Sequence, residues 1–374
     1  MRCLMRASAL FVAGTLLIWP DGGFAQTNRK LAITDRGQAD ADFSIQGEYV
    51  GSAVTQDAAT RPCWGSAALQ IIALGNGQFE VVHYNGGLPG DGWDGVAQVR
   101  FKATRESTGL QLQDGNQLRI DEDCGVLWAT SEHQAVVGQY QKVHRSSPTL
   151  GLLAPTGGQV LFDGTHVQEF KNGKMTADGL LMMGTEFQRR FSDFQLHLEF
   201  RLPYMPHARG QGRSNSGVYL QSRYEVQILD SFGLSGANNE CGALYRYRKP
   251  RINMCYPPLS WQTYDITFRS PEFDDSGRKT VNGRLTVRHN GVLIHDDIAL
   301  ERKTGAGAKE SPELLPIKLQ NHGNPVHFRN VWIVEGRANS GRITESRPAA
   351  CRCPPTRRRP SGLRDLLSTV FGRR

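Results

Sequence analysis

From about residue 45 to residue 335 the chain is written in short β-type runs punctuated by tight-turn residues, and no stretch holds a helical period. Ala68–Leu74 and Gln78–Tyr84 flank Gly75-Asn76-Gly77, and Leu110–Leu112 and Leu118–Ile120 flank Asp114-Gly115-Asn116. Arg284–His289 and Val292–Ile298 flank Asn290-Gly291. Each reads as a hairpin, because Gly and Asn accept the positive φ that short hairpin turns demand. Val96–Ala103 alternates apolar with polar side chains, the period of a half-buried strand. With 41 glycines and 18 prolines, the chain suits a turn-dense β protein better than a helical one.

Residues 144–158 (HRSSPTLGLLAPTGG) form a Ser/Pro/Gly-rich joint. The segment before it, 40–145, reads as a small antiparallel β domain, and 146–158 as a linker. Residues 159–335 carry about ten further strands, enough for two packed antiparallel sheets in a sandwich or jelly roll. Residues 1–25 read as a signal peptide. Arg2 and Arg6 precede an apolar run from Ala7 to Trp19, and Gly23-Phe24-Ala25 places small residues before a cut at Gln26. The run is shorter than the roughly 20 residues of a bilayer span, so the expected location is exported, periplasmic or extracellular.

The formal net charge of +8 comes from one end of the chain. Residues 336–374 hold ten arginines against two acids, while the other 335 residues hold 34 charges of each sign. Specific nucleic-acid binding is therefore not expected of the body. The tail should be disordered, except that Leu363, Leu366, Leu367, Val370 and Phe371 would form one apolar stripe on a short helix. Such a strap suits an anionic surface or membrane or a partner groove, or does nothing at all. Six cysteines follow the leader. Their grouping by segment is Cys63 with Cys124 and Cys241 with Cys255, while Cys351 and Cys353 make a C-x-C in the tail, a weak metal or redox signal.

The densest polar pattern is Asn215–Leu220, a short turn, then Tyr224–Asp230. In a strand Glu225 and Gln227 share one face and Val226 and Ile228 the other. The first pair would line an exposed concave face, or be ordinary outward polar residues. Asp230 joins that face only through a bulge. Gln320 and His322 end a later strand, and Tyr245 and Trp261 belong to an aromatic-rich region suited to sugar stacking or to core packing.

From about Val160 to Glu335 the chain resembles the bacterial 3-keto-disaccharide hydrolase domain family. The resemblance rests on Leu161-Phe162-Asp163-Gly164, Phe194–Phe200, Asn215–Leu220, Tyr224–Asp230, Gly242–Tyr245, Trp261–Asp265, His289-Asn290-Gly291, and Leu319–Gly323 followed by Val326–Asn330. It implies a concanavalin A-like lectin/glucanase jelly roll and a carbohydrate substrate, already oxidised to a ketone at C3. A base removes the acidified C2 proton, the C1 substituent leaves, and water adds to the resulting glucal. The assignment that follows is Glu225 as base, with His322 as acid/base partner or as ligand of an enolate-stabilising divalent cation. No metal ligand is otherwise assigned. Asn215, Gln227, Asp230, Gln320, Tyr245 and Trp261 would bind the sugar.

The same fold implies two alternatives. Laminarinase-type enzymes carry Glu-x-Asp-x-x-Glu on a bulged strand, and this chain has Glu225, Gln227 and Asp230 at those three positions. A non-catalytic glycan-binding module is the other.

Overall fold

The computed structural model describes residues 30–56, 62–95, 98–121, 125–131, 134–336 and 350–352. The expected signal peptide and the helix at 363–371 lie outside them. The protein is nearly all-β, with 47% of it in strands.

The first eight strands follow one another as antiparallel neighbours: β1 (Gly47–Gln56), β2 (Pro62–Gly75), β3 (Gln78–Asn85), β4 (Gln98–Glu106), β5 (Gly109–Leu112), β6 (Gln117–Ile120), β7 (Gly125–Ala129) and β8 (Val136–Arg145). β8 then returns to β1, pairing from Glu48↔Val143 to Ala53↔Gly138. The sheet is thus a closed up-and-down barrel, an arrangement that leaves no unpaired edge among these strands. Alternation puts Tyr49, Leu69, Ile71, Phe79, Val81, Leu110, Leu118, Val126, Trp128 and Tyr140 in its core. A short helix, α1 (Ala41–Ile45), is capped by Asp40, whose Oδ1 accepts from Phe43 N–H at 3.1 Å. Its Phe43 and Ile45 pack against the same core.

The second unit is a sandwich. In chain order its strands are β9 (Gln159–Phe162), β10 (Phe170–Lys171), β11 (Leu181–Met182), β12 (Thr185–Phe187), β13 (Phe194–Arg201), β14 (Ser216–Leu220), β15 (Tyr224–Ile228), β16 (Trp261–Arg269), β17 (Glu272–Phe273), β18 (Lys279–Val281), β19 (Gly283–His289), β20 (Val292–Leu300), β21 (Lys318–Leu319) and β22 (His327–Glu335). One sheet runs β10-β12-β21-β14-β15. The other runs β11-β22-β13-β16-β19-β20, with β9 added on β22. Inward residues such as Leu198, Phe200, Val218, Val226, Ile228, Tyr264 and Phe328 fill the space between them.

The β14–β15 hairpin turns through Gln221 (φ 46°) and Ser222 (φ 55°), both left-handed, without the usual glycine. Tertiary bonds hold this costly turn: Gln221 Nε2 donates to the Phe191 carbonyl at 3.0 Å, and Ser222 Oγ to that of Pro316 at 2.7 Å. Arg223, fully buried, reaches the Glu313 carbonyl at 2.8 Å. This turn sets the register on which the site depends.

The barrel and the sandwich share one hydrophobic core. Ile72, Val82, Tyr84, Leu88 and Val143 of the barrel segment lie in the cluster built mainly by the sandwich. At the joint Arg145 and Glu48 form a buried two-pronged pair, at 2.8 and 2.5 Å. Arg145 also donates to the Pro89 carbonyl at 2.6 Å and lies over the Tyr256 ring at 4.9 Å. The segment after β8 is fastened to the outer face of the larger sheet. Thr149 donates to Asp265 at 2.7 Å, and the Leu152 carbonyl accepts from Trp332 Nε1 at 2.8 Å.

Two expectations are corrected here. Cys241 and Cys255 are not bridged; both are buried free thiols in the sandwich core. The core engages each through a polar neighbour, Cys241 Sγ at 3.3 Å from the Tyr264 hydroxyl and Cys255 Sγ at 3.5 Å from the Leu229 carbonyl. The side chains of Cys63, Cys124, Cys351 and Cys353 lie outside the description. Nor is the tail irregular throughout, because β23 (Ala350–Arg352) pairs with the end of β8, Cys351 opposite His144. The addition uses the edge of β8 left free beyond its pairing with β7, which ends at Gln141.

Candidate active site

Antiparallel register aligns one residue from every strand of the smaller sheet. Lys171 faces Glu186, Glu186 faces Lys318, Lys318 faces Tyr219, and Tyr219 faces Glu225. Cross-strand partners share a face, so these five form a polar row across the side turned away from the core. Exposure falls along it, from exposed Lys171 to Glu225 at 2%. Over the row lies a cleft of about 420 Å³, whose lining includes Glu186, Lys318, Tyr219, Gln320 and Asn321. Glu186 and Lys318 pair at 3.0 Å.

Glu225 and Gln227 do share a face, as their spacing requires. The face is not exposed at their position, which corrects the expectation of an open strand. The edge strand β15 is covered by the chain from Gly242 to Tyr245. Gly242 N–H donates to the Gln227 carbonyl at 2.9 Å, Gln227 N–H to that of Ala243 at 2.9 Å, and Tyr245 N–H to that of Glu225 at 3.1 Å. Glu225 N–H donates to Thr304 Oγ1 at 2.7 Å. Gly305 follows, so close that an added Cβ would stand 2.6 Å from Tyr245 Cδ1 and 3.5 Å from Glu225 Oε2. Both covering segments lie far away in sequence.

Burial pushes the Glu225 carboxyl up to about 7, against a hydrogen bond from Tyr219 that favours its ionised form. The Tyr219 hydroxyl donates to Glu225 Oε2 at 2.8 Å and itself lines the cleft. The Gln227 amide satisfies its neighbours with its nitrogen toward the Ser216 carbonyl, 3.0 Å away, and Glu225 Oε1, 3.1 Å away. Gln320 Nε2 approaches the Tyr219 hydroxyl at 3.4 Å. A carboxyl near neutrality beside a polar cleft is equipped for proton transfer.

Space for that carboxyl comes from Gly217. A Cβ there would fall 2.6 Å from Glu225 Oε1. Gly217→Ala is therefore expected to displace the carboxylate and lower turnover on the order of 10²-fold while the protein stays folded, as kinetics beside circular dichroism would show. Activity within threefold of the parent would contradict this placement.

The remaining candidates separate. Asn215 is buried near Gln227, its amide donating to the Gln211 carbonyl at 2.8 Å, so it supports the site from behind. Tyr245 is half-buried over Glu225. His322 stands exposed on the turn after Asn321, at the cleft rim, with no contact to Glu225. Among the described residues no three His, Cys, Asp or Glu side chains are grouped to hold a metal ion.

Asp230 is placed elsewhere. No bulge interrupts β14–β15, the strand ends at Ile228, and Asp230 pairs with Arg213 at 2.6 Å, 3% exposed. Trp261 lies on the outer face of the other sheet, flanked by the guanidinium groups of Arg201 at 5.0 Å and Arg329 at 4.0 Å. Neither is among the residues that line this cleft. Tyr219, Lys318 and Glu186 were missed. Tyr219 was within reach, because a three-residue loop, Gln221-Ser222-Arg223, makes it the partner of Glu225.

Residues 157–334 match the 3-keto-alpha-glucoside-1,2-lyase-like domain family. Among solved structures, one candidate glycosyl hydrolase from Parabacteroides distasonis ATCC 8503 is similar at 29% identity, over 52% of this chain and 91% of that one, with a TM-score of 0.46. A second from the same organism is 16% identical over 49% and 95%, TM-score 0.36. A third is 20% identical over 48% and 99%, TM-score 0.33. No curated protein matches the chain. The matched residues are those of the sandwich that carries the polar row and cleft, and their similarity to the 3-keto-alpha-glucoside-1,2-lyase-like domain family supports a carbohydrate-active function.

Proposed function

We propose that the cleft cleaves 3-keto-glycosides by elimination and hydration, with Glu225 as the base. The observation that carries this reading is the carboxyl with a pKa near 7 at the inner end of the row, joined to the cleft by the Tyr219 hydroxyl. Abstraction of a proton next to a ketone calls for one base of this pKa and a donor or cation at the enolate oxygen. It does not call for the paired carboxylates of ordinary glycosidases, and Asp230, bound to Arg213, is not available as a second.

The C2 proton passes to Tyr219 as the tyrosine's own proton moves along the 2.8 Å bond to Glu225. The electron pair left at C2 is delocalised onto the C3 oxygen, next to Lys318, the register neighbour of Tyr219. It then expels the C1 oxygen, forming the C1–C2 double bond, and the departing oxygen takes up a proton from solvent. Water then adds, its hydroxyl to C1 and its other proton to solvent, and C2 takes a proton back through Tyr219 and Glu225, which have exchanged with solvent in the meantime. Gln320 and Asn321 in the lining hold the sugar hydroxyls, and His322 meets the outer part of the substrate at the rim.

If the proton travels by this relay, Tyr219→Phe and Glu225→Gln each lower turnover of a 3-keto-glucoside by about 10²–10⁴-fold. The double variant is then scarcely worse than either, as expected for residues that act as one unit. Steady-state kinetics on the three proteins decides it. Near-normal turnover by Tyr219→Phe would remove the relay.

A further inference from the structure

The proposed reaction uses only the sandwich, yet the barrel has polar groups of its own in search of a partner. Four aromatic side chains meet inside it at the end where β3 and β7 finish: His83 on β3, Phe101 on β4, Trp128 on β7 and Tyr140 on β8. The His83 ring stands edge-on to Trp128, centroids 5.5 Å apart, and to Tyr140 at 6.4 Å. Phe101 stands edge-on to Trp128 at 5.1 Å. β3 and β4 border neither β7 nor β8, so these contacts cross the lumen.

The wall is thin here. Gly138 is the cross-strand partner of both Trp128 and Ala53. The Tyr140 ring lies over that glycine, its hydroxyl 2.9 Å from where a Cβ would stand. Val99, the partner of His83, is 51% exposed, so this end opens to solvent.

Trp128 is 8% exposed and Tyr140 fully buried, yet neither Trp128 Nε1 nor the Tyr140 hydroxyl has a hydrogen-bond partner among the described residues. Buried donors left unmade cost free energy, and native proteins leave few of them. Two on one strand pair, among otherwise apolar walls, mark a position for an acceptor atom. An eight-stranded barrel is just wide enough to be filled by its own side chains or, where these leave off, to hold one small ligand. Burial holds His83 below its ordinary value, so it adds no charge at neutral pH and a neutral ligand is favoured.

We propose that this mouth of the barrel binds a small neutral ring compound bearing one carbonyl or hydroxyl oxygen. The ring packs among His83, Phe101 and Trp128, and the oxygen accepts from Trp128 Nε1 and the Tyr140 hydroxyl. This site is separate from the cleft and does not rest on the reaction proposed there.

The test titrates the full chain with acetophenone and with ethylbenzene, its counterpart lacking the oxygen. Indole N–H resonances are followed by NMR, that of Trp128 being the one absent in Trp128→Phe. Acetophenone should shift this resonance, bind about tenfold more tightly than ethylbenzene, and lose about tenfold in affinity in Tyr140→Phe. Glu225→Gln should leave binding unchanged. Without ligand, Tyr140→Phe should unfold at the same temperature as the parent or higher, since it removes an unpaired hydroxyl. An unmoved Trp128 resonance, equal affinity for the two probes, or a lower unfolding temperature of Tyr140→Phe would each overturn the proposal. The last would mean that water already satisfies the hydroxyl.

Discussion

Glu225→Gln is expected to abolish most turnover, by about 10²–10⁴-fold, and at the same time to make the protein more stable above neutral pH. The two effects share one cause. Burial raises the carboxyl from its ordinary 4.5 to about 7, so the folded protein holds a proton that the unfolded chain has released over that interval. Stability therefore falls as pH rises from 4.5 to 7 and stays reduced above it. A shift of this size corresponds to about 3 kcal/mol. Glutamine carries no such cost, so the variant should unfold several degrees higher than the parent at pH 8 and at nearly the same temperature at pH 4. Thermal unfolding at the two pH values checks this, and equal differences at both would contradict a buried, proton-binding Glu225. In the parent, turnover should rise through about pH 7 as the carboxyl ionises.

Arg145→Met should be the most damaging substitution away from the cleft, costing about 3–5 kcal/mol. It leaves Glu48, 1% exposed, as an uncompensated charge at the joint between barrel and sandwich, keeping only the 2.9 Å hydrogen bond from Gln70 Nε2. Removing both charges in Glu48→Met/Arg145→Met should restore most of the stability, because the pair's desolvation cost then vanishes with its attraction. Denaturant unfolding of the parent, the single variant and the double variant measures the coupling. A single variant as stable as the parent would mean that the joint does not depend on this pair.

Local pattern made the strands legible. Alternation and Asn/Gly turns located β2–β3, β5–β6 and β19–β20, and the all-β class followed. Barrel closure was not legible, since it depends on β1 meeting β8 about 90 residues later, and no turn residue encodes that contact. At the site, period-2 spacing put Glu225 and Gln227 on one face. Their burial escaped notice because the cover comes from Gly242–Tyr245 and Thr304-Gly305, segments that no local pattern links to β15. Asp230 and Trp261 were misplaced for different reasons. The strand simply ends before Asp230, and Trp261 alternates outward on the opposite sheet. Both misplaced residues found arginine partners instead of sugar.

Under the proposed elimination and hydration a proton leaves C2 and another returns there, and deuterium reports it directly. A 3-keto-disaccharide is turned over in D2O, and the released 3-keto sugar is isolated early and analysed by NMR or mass spectrometry against an enzyme-free control for spontaneous exchange. Elimination and hydration should leave deuterium at C2 of each product molecule, with Glu225→Gln forming almost none. Product that retains its original C2 hydrogen, formed equally well from plain disaccharides, would contradict the account.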